Sequence, residues 1–378
     1  MLKPPEPTAD DAPATERLAW LCLARSRNVG SMTFRRLIAR YGTAARALDA
    51  LPGIVTRTGA NAYQLCSARQ GEEEMERAVA AGARMLRLGT PEYPPRLADI
   101  PDPPPFLWAL GDIQLAHRPA VAVIGARNAS SLGLRMARLI AGDLGAAGMV
   151  VASGFARGID AAAHGAALSN GTIAAMAGGV EVIYPEENAA LAAKILEGGL
   201  FLSEAPMGMR PLARHFPRRN RIVSGLSAGV VLIEAAARSG SLITARMALE
   251  QGREVMAVPG APLDPRAEGC NTLIRQGAAL IRSADDVIEA LEAPRALNLR
   301  EVTEPYDLNP PEPANTEASP DLAERALALI GPAAIEVDAL ARDLAVSSAA
   351  LSTALLELEL EGLIEQRPGG LIALSAGG

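Results

Sequence analysis

Between residues 120 and 291 short, continuous apolar runs alternate with amphipathic stretches. The runs read AVAVIG, MVVAS, TIAAMA, GVVLIEA and EVMAVPG, and the stretches that follow them span 132–144, 159–168, 189–196, 242–251 and 272–276. Apolar runs of this length that do not alternate with polar residues are strands buried on both faces, and the stretches between them have helical spacing. The pattern predicts an α/β fold, an extended Rossmann-like, doubly wound parallel sheet over residues 83–292.

The flanks follow other periods. Apolar-periodic segments at 18–24, 34–41 and 44–51, broken at Gly30, Gly42, Pro52 and Gly53, predict a small helical domain over 17–82, preceded by a disordered, Pro- and acid-rich leader at 1–16. Residues 85–112 hold seven prolines, which excludes a long helix and predicts an extended connector; Tyr93, Leu97, Ile100, Phe106, Leu107 and Trp108 predict that it packs on the next domain. Residues 293–320 have the composition of a linker. In 321–378, three helical stretches precede GLIEQRPGGLIAL, two short strands around a Pro-Gly-Gly turn, which predicts a C-terminal winged helix.

Composition narrows the class. Half the residues are apolar (49%) but only 3% aromatic, which suits helices packed closely on a parallel sheet. Cys22, Cys66 and Cys270 are odd in number and far apart, so neither a disulfide framework nor a zinc site is expected, and a reducing, cytoplasmic setting fits. No secretory h-region and no run of about 18 uncharged apolar residues occurs, so no membrane association is expected. A net charge of −7 argues against a surface that attracts nucleic acid everywhere and directs attention to local basic clusters.

Ligands of open parallel sheets bind at the carboxyl ends of strands, where Gly-rich turns and helix N-termini meet anions. Three such turns follow strands here: Gly125-Ala126-Arg127-Asn128, Ser153-Gly154-Phe155-Ala156-Arg157-Gly158, and Ala177-Gly178-Gly179. The first lacks the glycines of a dinucleotide fingerprint and no P-loop motif occurs, so NAD, FAD and nucleotide hydrolysis are disfavoured and no cofactor is expected. Arg127 and Arg157 occupy the turns, where a guanidinium can fork onto phosphate; the alternative is pairing with a carboxylate, Asp160 being the candidate for Arg157.

The densest basic segment is MRPLARHFPRRNRIVSGL, with Arg210, Arg214, Arg218, Arg219 and Arg221 and no acidic residue between Glu204 and Glu234. Placed after a strand of the same sheet, it would face the Gly-rich turns; otherwise it is a solvated basic face. Phe216 inside it offers a ring for base stacking, or else anchors the segment to the core. His117, His164 and His215 form no catalytic or zinc set, and neither Ser153 nor Ser203 lies in a nucleophile motif, so an enzyme is not expected.

These residues carry a resemblance. VIGARNAS, SGFARGIDAAAHGAAL, GGVEVIYPEEN, FPRRNRIVSGLS, VVLIEAAARSGSLITARMALEQGREVMAVPG and GCNTLIRQGA occur in the order and spacing of the DNA-processing protein A (DprA/Smf) family. SRNVGSMTFRRLIARYG resembles the family's N-terminal helix-hairpin-helix or SAM-like domain, and the C-terminal module resembles the winged helix some members carry. The resemblance implies a non-enzymatic recombination mediator that binds and protects single-stranded DNA in the Rossmann crevice. It also implies dimerisation through that domain and loading of the RecA recombinase in natural transformation. DNA contacts carry over onto Gly125, Arg127, Gly154, Arg157, Arg218, Arg219 and Arg221, with Phe216 and Asn220 beside them, and Ser153, Gly158 and Arg214 in the same motifs. The alternative class is a nucleotide-binding or nucleotide-processing, phosphoribohydrolase-like Rossmann enzyme, since SGSLITA superficially resembles the glycine-rich turn of those proteins.

The winged helix departs from a DNA-reading module. Its third helical stretch, SSAALSTALLELELEG, has no basic residue, and residues 321–378 hold nine acidic residues against three arginines. A groove-reading helix carries Arg, Lys, Asn or Gln toward the bases, so a protein contact, or a lid over the arginine groove, is expected instead of duplex binding.

Overall fold

The computed structural model describes residues 13–58, 64–292, 321–331, 335–367 and 371–375. The linker at 293–320 and most of the leader lie outside the described residues, but the leader is shorter than expected, because helix α1 (Ala14–Arg25) already begins inside it. It is followed by α2 (Ser31–Tyr41), α3 (Ala44–Thr58) and α4 (Ala68–Ala80). Pro52 and Gly53 do not end α3 as their types suggested. Ala44, Ala47 and Leu51 bury one stripe in the local core, and that burial outweighs the hydrogen bond an interior proline removes, a cost of about 3 kcal/mol.

The central region runs β1 (Arg84–Arg87), α5 (Pro95–Ala98), β2 (Phe106–Gly111), β3 (Ala120–Gly125), α6 (Ser131–Ala146), β4 (Val150–Ser153), α7 (Ile159–Ala167) and β5 (Thr172–Ala175). It continues with α8 (Ala189–Gly198), β6 (Leu200–Ser203), α9 (His215–Leu226), β7 (Gly229–Ile233), α10 (Gly240–Glu250), β8 (Glu254–Ala257), α11 (Glu268–Arg275), β9 (Ala279–Leu280) and α12 (Ala284–Glu292). The nine strands form one sheet in the order β1-β2-β6-β5-β4-β3-β7-β8-β9. From β6 to β9 every pairing is parallel, whereas β2 runs antiparallel to both β6 and β1. The proline-rich connector is therefore part of the sheet: its prolines fall between strands, leaving FLWALG free to pair.

Burial on both faces follows from strand periodicity. In β3, Ala120, Ala122 and Ile124 join the core under α5, α9 and α10, while Val121 and Val123 join the core under α6, α7 and α12. Chain order explains the site's position. From β3 the strands step through β4 and β5 to β6, then return to β7 on the other side of β3, so the switch point lies between β3 and β7.

At the C-terminal end, α13 (Leu322–Leu329), β10 (Ile335–Glu336), α14 (Val337–Leu344), α15 (Ser348–Leu360), β11 (Ile364–Arg367) and β12 (Leu371–Leu374) form a winged helix with sheet order β10-β12-β11. Contacts divide the chain into two units. Residues 73–294 make one, and the N-terminal helices together with the winged helix make the other. Among the described residues no helix is long and apolar enough to cross a membrane, and no cluster of His, Cys, Asp or Glu could hold a metal ion.

Candidate nucleic-acid interface

The switch point is closed by the protein's own carboxylate. Glu234, in the left-handed region (φ 54°) directly after β7, accepts hydrogen bonds from the backbone N–H (2.8 Å) and hydroxyl of Ser130, the N-cap of α6. The anion-favouring helix N-terminus that a bound nucleotide would use is thereby filled. The open cleft lies to one side, over the ends of β3, β4 and β5, with a volume of about 690 Å³. Arg127, Gly154, Arg157, Tyr184, Arg210 and Phe216 line it, with Glu186 and Glu187 on its rim.

The turn after β4 is a pinned loop. Phe155 takes a positive φ (57°) and buries its ring against Phe201 and His164, and its carbonyl accepts a hydrogen bond from Asn188 Nδ2 at 3.0 Å. The N–H groups of Gly154 and Ala156 donate to Asp160 Oδ2 (3.2 and 3.3 Å) in the first turn of α7. Gly158 is required by its own φ of 80° and because a Cβ there would meet Ala126 O at 2.3 Å. A left-handed Phe of this kind costs on the order of 1–3 kcal/mol and persists because these contacts over-determine it. The loop's one long exposed side chain is Arg157. Asp160 is not the partner of Arg157: the guanidinium lies 3.8 Å from Glu187, and both groups are more than half exposed. Such a pair is weak and open to exchange with another anion.

Behind the loop stands Arg219. Its guanidinium occupies the space a side chain at Gly154 would need, an added Cβ lying 1.5 Å from Nη1, and its Nε is buried without a hydrogen-bond partner. Burial pulls its pKa down to about 10, against the opposing pull of Asp160, so it stays cationic at neutral pH. Burial in turn raises the Asp160 pKa, and Arg219 counters it. The Arg127 guanidinium stacks 4.8 Å from the Phe216 ring and that of Arg219 lies 5.9 Å away, both within cation–π range. Tyr184, half exposed, sets its ring 6.2 Å from Phe216 at an angle of 54°. Phe216 thus forms part of the cleft wall.

The five arginines of the basic segment do not share one face, which corrects the expectation that they all look toward the turns. From residue 215 the segment is helix α9, so successive side chains point about 100° apart. Arg210 lines the cleft, and Arg214 is exposed at the N-cap of α9. Arg218 forks onto Glu204 (2.8 and 3.1 Å). Arg221 is buried, bound to Glu204 at 2.6 Å, to Asp102 at 3.3 Å and to the Asp102 carbonyl at 2.8 Å. It therefore ties α9 to the segment between α5 and β2. Asn220 is half buried, with its carbonyl accepting from Ser224 Oγ. Ser153 is fully buried and donates its hydroxyl to Val123 O at 2.7 Å, joining β4 to β3; Gly125 ends β3 opposite Ile233.

Two residues carry little signal in the sequence, Tyr184 of the cleft wall and Glu234 of the switch point beside it. Tyr184 stands in the turn region after β5, and an exposed aromatic beside a Gly-rich turn in a chain with so few aromatics was the available signal. In the sequence Glu234 stands out only as a boundary of the basic segment.

Residues 84–292 match the family described as DNA recombination-mediator protein A, more than half of the chain. The chain belongs to the DNA-processing protein A family. Residues 14–77 match the family's N-terminal helix-hairpin-helix domain and 310–370 its winged helix domain. Among DNA-processing protein A relatives, the chain is 43% identical over 293 residues to protein Smf of Escherichia coli, an alignment covering 75% of each chain. Among solved structures, it is similar to DNA processing protein A of Streptococcus pneumoniae at 40% identity and a TM-score of 0.55, covering 59% of this chain and 77% of that one. It is also similar to the Helicobacter pylori protein at 30% identity and a TM-score of 0.51, covering 56% and 97%; that structure addresses the single-stranded DNA binding mode of the Helicobacter protein.

Proposed function

We propose that this chain binds single-stranded DNA in the cleft over β3, β4 and β5. On this reading it protects incoming DNA and passes it to the RecA recombinase during natural transformation, as a cytoplasmic homodimer assembled through the Rossmann-like domain and without catalysing a reaction. The observation that carries the DNA-binding part is the cleft wall itself: Arg127 stacked on Phe216, Arg157 held out by a pinned loop, and Arg210 lining the same cleft. Guanidinium groups take phosphates and an aromatic face takes bases of any identity, which is what sequence-tolerant capture of a single strand requires. The recombinase, the transformation setting and the dimer rest on family membership.

The contact set we assign is Arg127, Gly154, Arg157, Arg210 and Phe216, with Gly125 and Gly158 shaping the turns and Arg214 and Asn220 at the cleft's margin. Tyr184 adds a second ring on which a neighbouring base can stack. Arg219 acts from behind, propping Gly154 and adding positive potential. Ser153, Arg218 and Arg221 serve the scaffold through their hydrogen bonds and ion pairs. The nucleotide-processing alternative is disfavoured by Glu234, whose carboxylate holds the helix N-terminus that a nucleotide phosphate would need.

Fluorescence anisotropy of a labelled oligonucleotide over a salt series tests the reading. Each phosphate contact removed should flatten the log–log salt slope by about 0.7, so Arg127→Ala/Arg157→Ala should bind weakly with a slope shallower by roughly 1.4. Phe216→Leu should weaken binding and keep the wild-type slope, because stacking releases no counterions. Wild-type affinity and slope in a folded double variant would refute the assignment.

A further inference from the structure

The acidic winged helix has a place in the structure that the DNA-binding reading does not use. Its third helix, α15, has two faces. Leu351, Ala354, Leu355 and Leu358 close the module's own core, together with residues of α13, α14, β11 and β12. Leu356, on the other side, is only 3% exposed and belongs to a different core, that of the N-terminal helices, among Leu23, Phe34, Leu37 and Leu51. One turn further along, Glu359 meets Arg36 of α2, Oε2 to Nη1, at 3.4 Å. Leu356 and Glu359, three residues apart, lie on one side of the helix, so this contact occupies its outward stripe. That stripe is what a helix-turn-helix module presents to the major groove.

Charge supports the same pairing. Residues 17–64 hold eight arginines and a single acidic residue, Asp49, whereas residues 321–378 hold nine acidic residues and three arginines. Arg27, Arg35, Arg40 and Arg46 remain exposed on the N-terminal helices, a concentration of positive charge that attracts any phosphate backbone. The two modules lie at opposite ends of the chain, carry opposite charge and share a core.

We propose that the winged helix is an internal acidic partner of the N-terminal helical module. It docks through the outward face of α15 and competes with nucleic acid for the arginines of that module. The contact covers Arg36, and the surrounding carboxylates lower the potential at the arginines left exposed. A module that elsewhere reads duplex DNA here withholds duplex DNA from its neighbour, which leaves single strands to the separate cleft of the Rossmann-like unit.

Leu356→Asp in the full chain separates this from simple electrostatics, because it adds negative charge and yet should release the basic module. Hydrogen exchange should rise together in peptides from α2 and α15 while α13 stays protected. Binding of a labelled duplex oligonucleotide at low salt should tighten about threefold or more, the equivalent of one ion pair's worth of competition. Glu359→Gln, which keeps Leu356 in place and so preserves the N-terminal core, should move both readouts in the same direction by less. Unchanged exchange in both variants would overturn the docking, and faster exchange with duplex binding that is unaltered or weaker would overturn the competition.

Discussion

At the scale of single residues, burial decides which polar groups act and which support. His164 is fully buried in α7, with Nδ1 against the Thr172 hydroxyl at 2.7 Å and its ring 6.0 Å from that of Phe155, and burial drops its pKa from 6.5 to about 3. The folded protein keeps this imidazole neutral down to about pH 3 while the unfolded chain protonates it near 6.5. Its contribution is therefore fully present above pH 6.5 and is lost as pH falls toward 3, by up to about 1.4 kcal/mol per pH unit. Urea unfolding between pH 7 and 5 should show a steeper acid loss for the wild type than for His164→Gln. Arg127 and Arg157 were legible in the sequence because a Gly-rich turn after a buried strand fixes where its side chains emerge. Arg221 was not, since its partners Glu204 and Asp102 are remote along the chain and only the fold brings them within 2.6 and 3.3 Å.

At the scale of elements, α9 shows why a basic run cannot be read as one surface. A run of arginines in an extended loop could all face one ligand, but the helical turn sends Arg218 and Arg221 to Glu204 and puts Arg219 behind Gly154. Arg221→Ala would leave the buried Glu204 carboxylate short of a main partner, and breaking a buried pair in this way costs about 3–5 kcal/mol. Thermal unfolding should record that loss, whereas Arg157→Ala, which removes an exposed group, should leave the melting temperature nearly unchanged. The alternating apolar runs foretold the parallel strands because both of their faces are buried. β1 and β2 are hidden in the sequence because seven prolines in the same stretch mask a pairing segment of only six residues, FLWALG.

At the scale of the whole molecule, the N-terminal helices complete their core with a residue from the far end of the chain, Leu356. A chain ending at residue 320 should lose the burial of that side chain, worth about 2–4 kcal/mol, from the N-terminal module. Hydrogen exchange should then show faster opening of residues 19–51 with the Rossmann-like unit unaffected. The sequence disclosed the two terminal modules separately, each from its own helical period, but a periodicity cannot tell that one apolar position on an acidic helix belongs to another module's interior. The connectivity also sets a timetable. Residues 73–294 are an insertion within the unit built from the two chain ends. During synthesis at about 5–20 residues per second, the N-terminal helices wait on the order of tens of seconds for the helix that finishes them. These helices, made before the Rossmann-like unit, are completed after it, and for that interval their apolar stripe is covered by partial collapse or by a chaperone.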